Sequence, residues 1–345
     1  MNKKRALAYI ITAILLVTAV FCGYGCEKNG AGGKSGGSIH KGDNGFYYEE
    51  FTRRDGFSVN FIDVGEGDAI FINFGDRRTM LIDCGEKSAS NFEKIKNYLD
   101  AYCGGELDYL LLTHTDTDHI GNGESVVSRV KVKTAFLPDI TFTESFKGYA
   151  ALEKTIKESG AKIVRSAIGC NVLGENYTLL FLSPNAKGTN DSAYDRLNED
   201  FYPSASAIND ISPIVYLEYR GVRFVFTGDA GKSQEKIAMN NVDTGIAGRF
   251  IKRENAADLY GIDVLKLSHH GASDGNGAEF LNRLRPKYAV VSAGGDNYYG
   301  HPDTETLERV YNANSDCEVL RTADNGTISV CVSESGETTI FLQSE

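Results

Sequence analysis

Two histidines and two aspartates lie within the six residues from His114 to His119. The segment reads His-x-Asp-x-Asp-His and follows the apolar run 107–112, which has the length of a buried strand. In a turning segment, His114, Asp116 and Asp118 point to the same side, and His119 joins them as the turn closes. Imidazole and carboxylate groups at this spacing predict a site for a divalent cation.

Five other short motifs occur along the chain in a fixed order. They read Phe-Ile-Asp-Val-Gly-Glu-Gly-Asp-Ala-Ile at 61–70, Leu-Ile-Asp-Cys-Gly at 81–85, Phe-Thr-Gly-Asp at 226–229, Lys-Leu-Ser-His-His-Gly at 266–271 and Gly-His-Pro at 300–302. Together with the first segment, they resemble the metallo-β-lactamase superfamily, whose usual signature has His where Asp116 stands. The Asp form resembles the extracellular hydrolase domain of ComEC-type DNA-uptake (competence) proteins, with Glu66 where Gln is usual. The resemblance covers roughly residues 57–342.

Strand-like runs alternate with helical patterns in two similar halves, which predicts an α/β protein. The resemblance implies the αββα sandwich of the metallo-β-lactamase fold, with metals at one edge between the sheets. The pattern predicts a three-strand meander over 57–82, a helix that ends near Cys103, and a hairpin around Arg220 and Gly221. The polar segment 183–209 has no clear period and is predicted to be an irregular surface excursion.

The resemblance implies two cation sites and a bridging aspartate. The candidate ligands are His114 and Asp116 for the first site, Asp118, His119 and one of His269 and His270 for the second, and Asp229 as the bridge. No histidine lies between His119 and His269. The first site therefore lacks the third imidazole of the wider superfamily, and Asn209 or Asp210 could assist it. The alternative role for Asp229 is to cap the helix predicted to follow it.

The residue types also bear on the metal and on the chemistry. A carboxylate in place of an imidazole favours Mn²⁺ or Mg²⁺ more than a three-histidine site would, and Zn²⁺ stays an alternative. The predicted cofactors are two divalent ions, Zn or Mn, with Mg as a further option. Two cations about 3.5–4 Å apart lower the pKa of a water molecule to about 7 and polarise a phosphoryl or carbonyl oxygen. Asp118 is the candidate that orients this water.

Candidate substrate contacts come from two loops. They are Asn209, Ser212, Asn297, Tyr299 and His301. His301 is also a catalytic candidate, because a donor imidazole fits a phosphate oxygen or a leaving group. Its alternative role is to cap the helix predicted from Asp303. Tyr298 and Tyr299 could stack on a base.

The N-terminus has the layout of an export signal. A basic start at 3–5 precedes the uncharged stretch 6–25, and Cys26 resembles the acceptor cysteine of a bacterial lipoprotein, although Gly23 stands where a Leu-like residue is expected. A lipid anchor at Cys26, an uncleaved membrane helix and simple secretion are the three alternatives.

The chain is therefore divided into three parts. Residues 1–26 are the export signal with its lipoprotein cysteine, 27–50 a Gly-rich tether, and 51–345 the hydrolase domain. This arrangement predicts an exported protein, either at the outer face of the cell membrane or secreted. The sequence leaves the oligomeric state open.

Composition limits the other classes of function. With 345 residues, 41% of them hydrophobic, the chain can bury a full core. The net charge of −11 excludes a global basic field for nucleic acid, so such binding must depend on a local patch or on metals. Seven cysteines, of which Cys22 and Cys26 lie in the N-terminal segment, leave an odd five for the domain. A complete disulfide framework is therefore not expected.

The leading hypothesis is an extracytoplasmic metal-dependent hydrolase, a phosphodiesterase or nuclease linked to DNA uptake. Its partners would be nucleic acid or another phosphodiester, and the membrane through the N-terminal anchor. One alternative is a hydrolase of an ester, lactone or β-lactam, which a similar site could attack. Another is a non-catalytic binding module of an uptake apparatus.

Overall fold

Short apolar runs form two β-sheets in the computed structural model, which describes residues 38–41, 56–141, 146–199, 203–246 and 258–343. The first sheet contains β1 (Ser38–Lys41), β2 (Phe57–Phe61), β3 (Ile70–Phe74), β4 (Thr79–Ile82), β5 (Glu106–Leu111), β6 (Lys131–Leu137), β7 (Lys162–Arg165), β15 (Thr327–Val332) and β16 (Thr338–Gln343). The second contains β8 (Asn171–Leu173), β9 (Tyr177–Phe181), β10 (Val215–Tyr219), β11 (Val222–Phe226), β12 (Val264–Lys266), β13 (Tyr288–Val291) and β14 (Glu318–Arg321).

The strand order explains how both sheets present a functional edge. It is β1-β16-β15-β2-β3-β4-β5-β6-β7 in the first sheet and β14-β13-β12-β11-β10-β9-β8 in the second. The meander β2-β3-β4 and the hairpin β10-β11 are antiparallel, which confirms both predictions. In contrast, β4 to β7 are parallel to one another, as are β11 to β14. Parallel strands bring their carboxyl ends to one edge, where α/β proteins bind ligands.

Helices connect these strands. They are α1 (Ala89–Tyr98), α2 (Thr117–Ile120), α3 (Gly123–Arg129), α4 (Lys147–Glu158), α5 (Ala193–Glu199), α6 (Ala205–Asn209), α7 (Lys232–Asp243), α8 (Ala278–Leu284), α9 (Thr304–Ala313) and α10 (Thr322–Asn325). A π-helical turn, Leu99–Cys103, extends α1, and the left-handed Gly104 ends it. This agrees with the predicted helix end near Cys103.

The apolar side chains form three buried clusters that separate the layers. One joins the facing sides of the two sheets, for example Phe57 and Phe61 of β2 with Phe224 and Phe226 of β11. The second joins the outer face of the first sheet to α1, α3 and α4, and the third joins the outer face of the second sheet to α7, α8 and α9. The layer order is helix, sheet, sheet, helix, as the αββα prediction requires.

The structure differs from the sequence-based expectations in three segments. Strand β1 lies inside the predicted tether 27–50 and pairs in parallel with β16, so the tether prediction is wrong for these four residues. The excursion 183–209 contains the helices α5 and α6. Strand β8 was not predicted either. Each of these elements is only three to seven residues long, and so short an element gives too little periodicity to detect.

The predicted signal segment 1–26, with Cys26, lies outside the described residues. Within the described ranges, no helix is both long enough and apolar enough to cross a membrane. The five cysteines of these ranges form no disulfide with one another, and Cys84, Cys317 and Cys331 are buried.

Candidate metal centre

The carboxyl ends of four parallel strands bring the candidate ligands to one edge of the sandwich. Asp83 follows β4, the segment from His114 to His119 follows β5, Asp229 follows β11, and the pair His269 and His270 follows β12. The two sheets contribute from opposite sides, so residues far apart in sequence meet there. Asp229 is not a helix cap, because α7 begins at Lys232 after the N-cap residue Gly231.

Asp229 is the centre of the cluster. Its carboxylate oxygens lie 3.7 Å from Nε2 of His114, 3.3 Å from Nε2 of His119 and 3.7 Å from Nε2 of His270. His269 lies slightly farther, with its Nε2 at 3.9 Å. Because Asp229 faces both halves of the cluster and is 3% exposed, its position is the one expected of a bridging ligand.

Of the three sets of potential ligand atoms in the described residues, two lie at this carboxylate, and one of these includes it. Ligand atoms of His114, His119 and Asp229 lie within 4.8 Å of one another, and so do those of Asp118, His119 and His270. Asp116 adds a carboxylate 3.8 Å from Nε2 of His114. The structure thus brings together all seven side chains that the sequence suggested as metal ligands, and His119 belongs to both sets.

In three of the histidines, the ring nitrogen Nδ1 makes a hydrogen bond that orients the ring. Nδ1 of His119 donates to Asp83 at 2.8 Å, and Nδ1 of His270 donates to the carbonyl oxygen of Ser292 at 2.8 Å. Nδ1 of His269 donates to the Asp274 carboxylate at 2.9 Å. With Nδ1 occupied, Nε2 is the ring nitrogen that faces the cluster, which is the usual arrangement of metal-binding histidines.

His114 is held in a similar way by two hydroxyl groups. Its Nδ1 lies 3.1 Å from Oγ1 of Thr113 and 3.3 Å from Oγ of Ser212. Burial, and after it the neighbouring His119, lower the pKa of His114 to about 3. His114 is therefore a neutral imidazole, the form that binds a metal ion.

The cluster contains polar atoms that the protein itself does not satisfy. Nε2 of His114, Nε2 of His119 and Oδ1 of Asp229 are buried and have no hydrogen-bond partner. Burial alone would lower the pKa of His119, but Asp229, Asp118 and Asp83 together raise it well above its usual value. The carboxylates thus create a potential that favours positive charge at this point. Buried ligand atoms that lack a hydrogen-bond partner, in a negative potential, are suited to bind one or more cations.

Three residues at the site have an unusual backbone conformation. Asp83, His269 and His270 have φ values of 57°, 49° and 53°, in the left-handed region that non-glycine residues avoid. They are three of the eight such non-glycine residues in the described part of the chain. Strain of this kind accumulates at functional sites.

The histidine pair divides into two environments. His270 is buried, and its Nε2 lies 3.3 Å from Oδ2 of Asp118, within one of the two ligand sets. His269 lies outside both sets, with its side chain 28% exposed. The geometry therefore favours His270 as the ligand of the second site. It places His269 at the partly exposed edge of the cluster.

The candidate substrate residues fall into two groups. Ser212 is fully buried behind His114, and Asn209, which is 4% exposed, lies 3.4 Å from Nδ1 of His269. The side chain of Asn297 bonds its own loop, since its Nδ2 donates to the carbonyl oxygens of Gly294 and His301. We assign supporting positions to these three residues instead of direct substrate contacts.

His301 and Tyr299 remain at the surface of the site. The His301 ring lies 5.6 Å from the His269 ring, and the Tyr299 ring stacks on it at 5.8 Å. His301 does not occupy the N-cap position of α9, which is Asp303, and its Nδ1 lies 3.6 Å from Oδ1 of that residue.

Three buried charged residues had no predicted role at the site. Asp83 accepts hydrogen bonds from the backbone and hydroxyl of Thr113 as well as from His119. Asp68 and Lys266, 1% and 0% exposed, form an ion pair at 2.9 Å directly behind His270. The sequence evidence for such a role was their position at strand ends, within the motifs 61–70, 81–85 and 266–271.

The family comparison agrees with this geometry. The family model of the metallo-beta-lactamase superfamily matches residues 62–145, which include Asp83 and the His-x-Asp-x-Asp-His segment. The chain carries a metallo-beta-lactamase domain. Both the resemblance noted in the motifs and the predicted αββα fold are thereby confirmed, and the domain is that of a hydrolase superfamily whose members use divalent metal ions.

Several competence proteins are similar to this metallo-beta-lactamase domain. ComE operon protein 3 of Bacillus subtilis (strain 168) is 30% identical over 285 residues, which are 78% of this chain and 32% of that protein. Competence protein ComA of Neisseria gonorrhoeae is 24% identical over 290 residues, 84% of this chain and 34% of that protein. The chain thus spans about a third of the length of these relatives. Among solved structures, the metallo-beta-lactamase fold protein YhfI from Bacillus subtilis aligns with a TM-score of 0.45 at 12% identity, covering 79% of this chain and 99% of YhfI.

Proposed function

We propose that this protein is a metal-dependent phosphodiesterase that cleaves nucleic acid outside the cell membrane. The observation that carries the proposal is the convergence of three imidazole Nε2 atoms on Asp229, each with its Nδ1 already hydrogen-bonded. This donor set fits two divalent cations. His114, Asp116 and Asp229 would hold one, and Asp118, His119, His270 and Asp229 the other.

The donor atoms support a choice among divalent metals. The first site, made of His114, Asp116 and Asp229, offers two carboxylates and one imidazole, which are harder donors than three imidazoles. It therefore favours Mn²⁺ or Mg²⁺ more than a three-histidine site would, with Zn²⁺ as an alternative. When bound, such cations acidify a water molecule and polarise a phosphoryl oxygen. The positive charge of two bound cations suits a phosphodiester substrate, whose non-bridging oxygens are anionic.

The exposure of the aspartates defines the side from which a substrate approaches. The side chains of Asp116 and Asp118 are 41% and 29% exposed, whereas that of Asp229 is 4% exposed. Asp229 therefore lies at the buried base of the site, and Asp116 and Asp118 form its solvent-exposed rim. Asp118 lies 3.3 Å from Nε2 of His270 and is partly exposed to solvent, so its carboxylate is the candidate that orients the attacking water. His301, beside His269 at the same rim, is the candidate donor of a proton to the leaving group.

A nucleic-acid substrate is supported by the relatives. Two of them are named ComE operon protein 3 and Competence protein ComA, and a third is named Recombination protein 2, at 25% identity over 278 residues. We propose that this chain likewise acts on DNA, linked to its uptake. Ester, lactone and β-lactam hydrolysis are the competing outcomes of the test below.

The proposal predicts which side chains the reaction needs. The full chain, supplied with Mn²⁺, Mg²⁺ or Zn²⁺, should cleave DNA or bis-p-nitrophenyl phosphate and leave nitrocefin intact. Asp118→Ala or Asp229→Ala should reduce this activity by more than about 10⁴-fold, because each removes a cation ligand, and His301→Ala by about 10²–10⁴-fold, as for loss of one general acid.

Asp316→Ala is the matched control, because Asp316 is an exposed aspartate before β14, at the opposite end of the sheet. A folded Asp118→Ala protein with wild-type turnover would overturn the proposal. Efficient cleavage of nitrocefin with no phosphodiesterase activity would replace it with the β-lactam alternative.

We further propose that the protein is exported and anchored at the outer face of the cell membrane through Cys26, with residues 51–345, together with strand β1, as the hydrolase domain. The expected result is that the full chain enters the membrane fraction and that Cys26→Ala releases it or blocks its processing. Cys22→Ala is the matched control. Unchanged fractionation and mobility of the Cys26→Ala chain would exclude the lipid anchor.

A further inference from the structure

Two tyrosines stand in solvent next to the proposed cation site. Tyr298 is 97% exposed and Tyr299 is 69% exposed, although most large aromatic side chains of the described residues are buried. Both lie on the loop between β13 and α9. A fully exposed aromatic ring contributes nothing to the core, so the fold itself gives no reason for Tyr298 to be aromatic.

The rings form a continuous row that leads to the metal ligands. The Tyr298 and Tyr299 rings are nearly perpendicular with centroids 5.9 Å apart, and Tyr299 stacks on His301 at 5.8 Å with an interplanar angle of 11°. His301 lies 5.6 Å from His269, whose Nε2 is 3.9 Å from Asp229. A ligand that stacks on these tyrosines would extend directly into the proposed active site.

The loop that carries the row is held in place before any ligand binds. Asn297 donates to the carbonyl oxygens of Gly294 and His301 at 2.8 Å and accepts from the backbone N–H of His301 at 2.8 Å. The backbone N–H of Gly294 donates to Glu66 at 3.2 Å, on the loop after β2. Binding to such a pre-organised surface costs little conformational entropy.

We infer that Tyr298 and Tyr299 form a stacking subsite for unpaired nucleobases, so that the enzyme selects single-stranded nucleic acid. A single strand offers the faces of its bases to protein aromatic rings, whereas a duplex covers them by its own stacking. The net charge of −11 gives phosphates no general attraction, so uncharged contacts must contribute to affinity. This inference names the substrate class of the proposed phosphodiesterase and rests on that function.

The test distinguishes binding through the bases from binding through the phosphates. Fluorescence anisotropy is measured in Mn²⁺ with a phosphorothioate-linked oligodeoxythymidylate of about ten nucleotides, a length typical of single-strand binding sites. The comparison probes are an abasic strand of the same length and linkage, and the corresponding duplex. Wild-type protein should bind the oligodeoxythymidylate at least about tenfold more tightly than either, in line with the cost of losing a base–aromatic stack.

Three variants assign this preference to the two rings. The double variant Tyr298→Ala, Tyr299→Ala should lose the preference for bases and bind the abasic strand as wild type does. Tyr298→Phe with Tyr299→Phe should retain it, because the rings remain. Tyr311→Ala, which removes an exposed tyrosine near the end of α9, should change nothing.

The outcomes distinguish the subsite from the proposed function. Equal binding of the base-containing and abasic strands by wild type, or an unchanged preference in the double alanine variant, would overturn the subsite even if phosphodiesterase activity is present. A preference that depends on the tyrosines, in a protein that cleaves no phosphodiester, would support the subsite and refute the catalytic proposal.

Discussion

At the scale of single residues, the site depends as much on what holds the histidines as on the ligands themselves. Asp83 is the clearest case. It is fully buried, has a left-handed backbone conformation, and receives hydrogen bonds from His119 and from two groups of Thr113. One carboxylate thus fixes both the ligand ring and the start of the ligand loop. Partners of this kind tune metal affinity without contacting the metal.

Asp83→Asn should therefore weaken Mn²⁺ binding by about 10–100-fold, the usual effect of losing such a partner. The amide still fits the volume but no longer offers a charged acceptor to Nδ1 of His119. Titration calorimetry measures the affinity, and Asp316→Asn serves as the exposed control. Unchanged Mn²⁺ affinity in a folded Asp83→Asn protein would show that His119 needs no such orientation.

At the scale of elements, strand ends and the loops between them set the geometry of the cluster. The loop after β2 lies against the ligand loop after β5. A Cβ atom at Gly67, where φ is +116°, would lie 2.1 Å from the carbonyl oxygen of Asp118, closer than any real contact. The backbone of one motif can therefore approach the other only because this position is glycine.

Gly67→Ala should displace Asp118 and reduce phosphodiesterase activity by about 10²-fold, the cost of a misplacement near 1 Å. Gly65→Ala is the matched control, because Gly65 also has a positive φ, +75°, but a methyl group there would meet no atom within 4 Å. Both variants carry about 1–3 kcal/mol of backbone strain, which urea unfolding measures. Equal activity of the two would mean that the close approach does not position Asp118.

At the scale of the whole molecule, the periodicity of the long elements predicted an α/β protein, and the resemblance carried by the ordered motifs implied the αββα sandwich. The ligands were predictable from spacing after β5 and from the motifs after β11 and β12. The roles of Asp83 and Lys266 were not, because the partners that define these roles, His119 and Asp68, lie in distant parts of the sequence. The pairing of β1 with β16 escaped prediction for the same reason: its partner lies about 300 residues away in the sequence.

The central claim is that residues from both sheets form one site for two divalent cations. The most direct measurement is a crystal structure of the full chain with Mn²⁺, with data collected for the anomalous signal of manganese. We predict two anomalous peaks about 3.5–4 Å apart, on either side of Asp229, one near His114 and Asp116 and the other near Asp118 and His270. A well-ordered structure with no anomalous peak within bonding distance of Asp229 would contradict this claim.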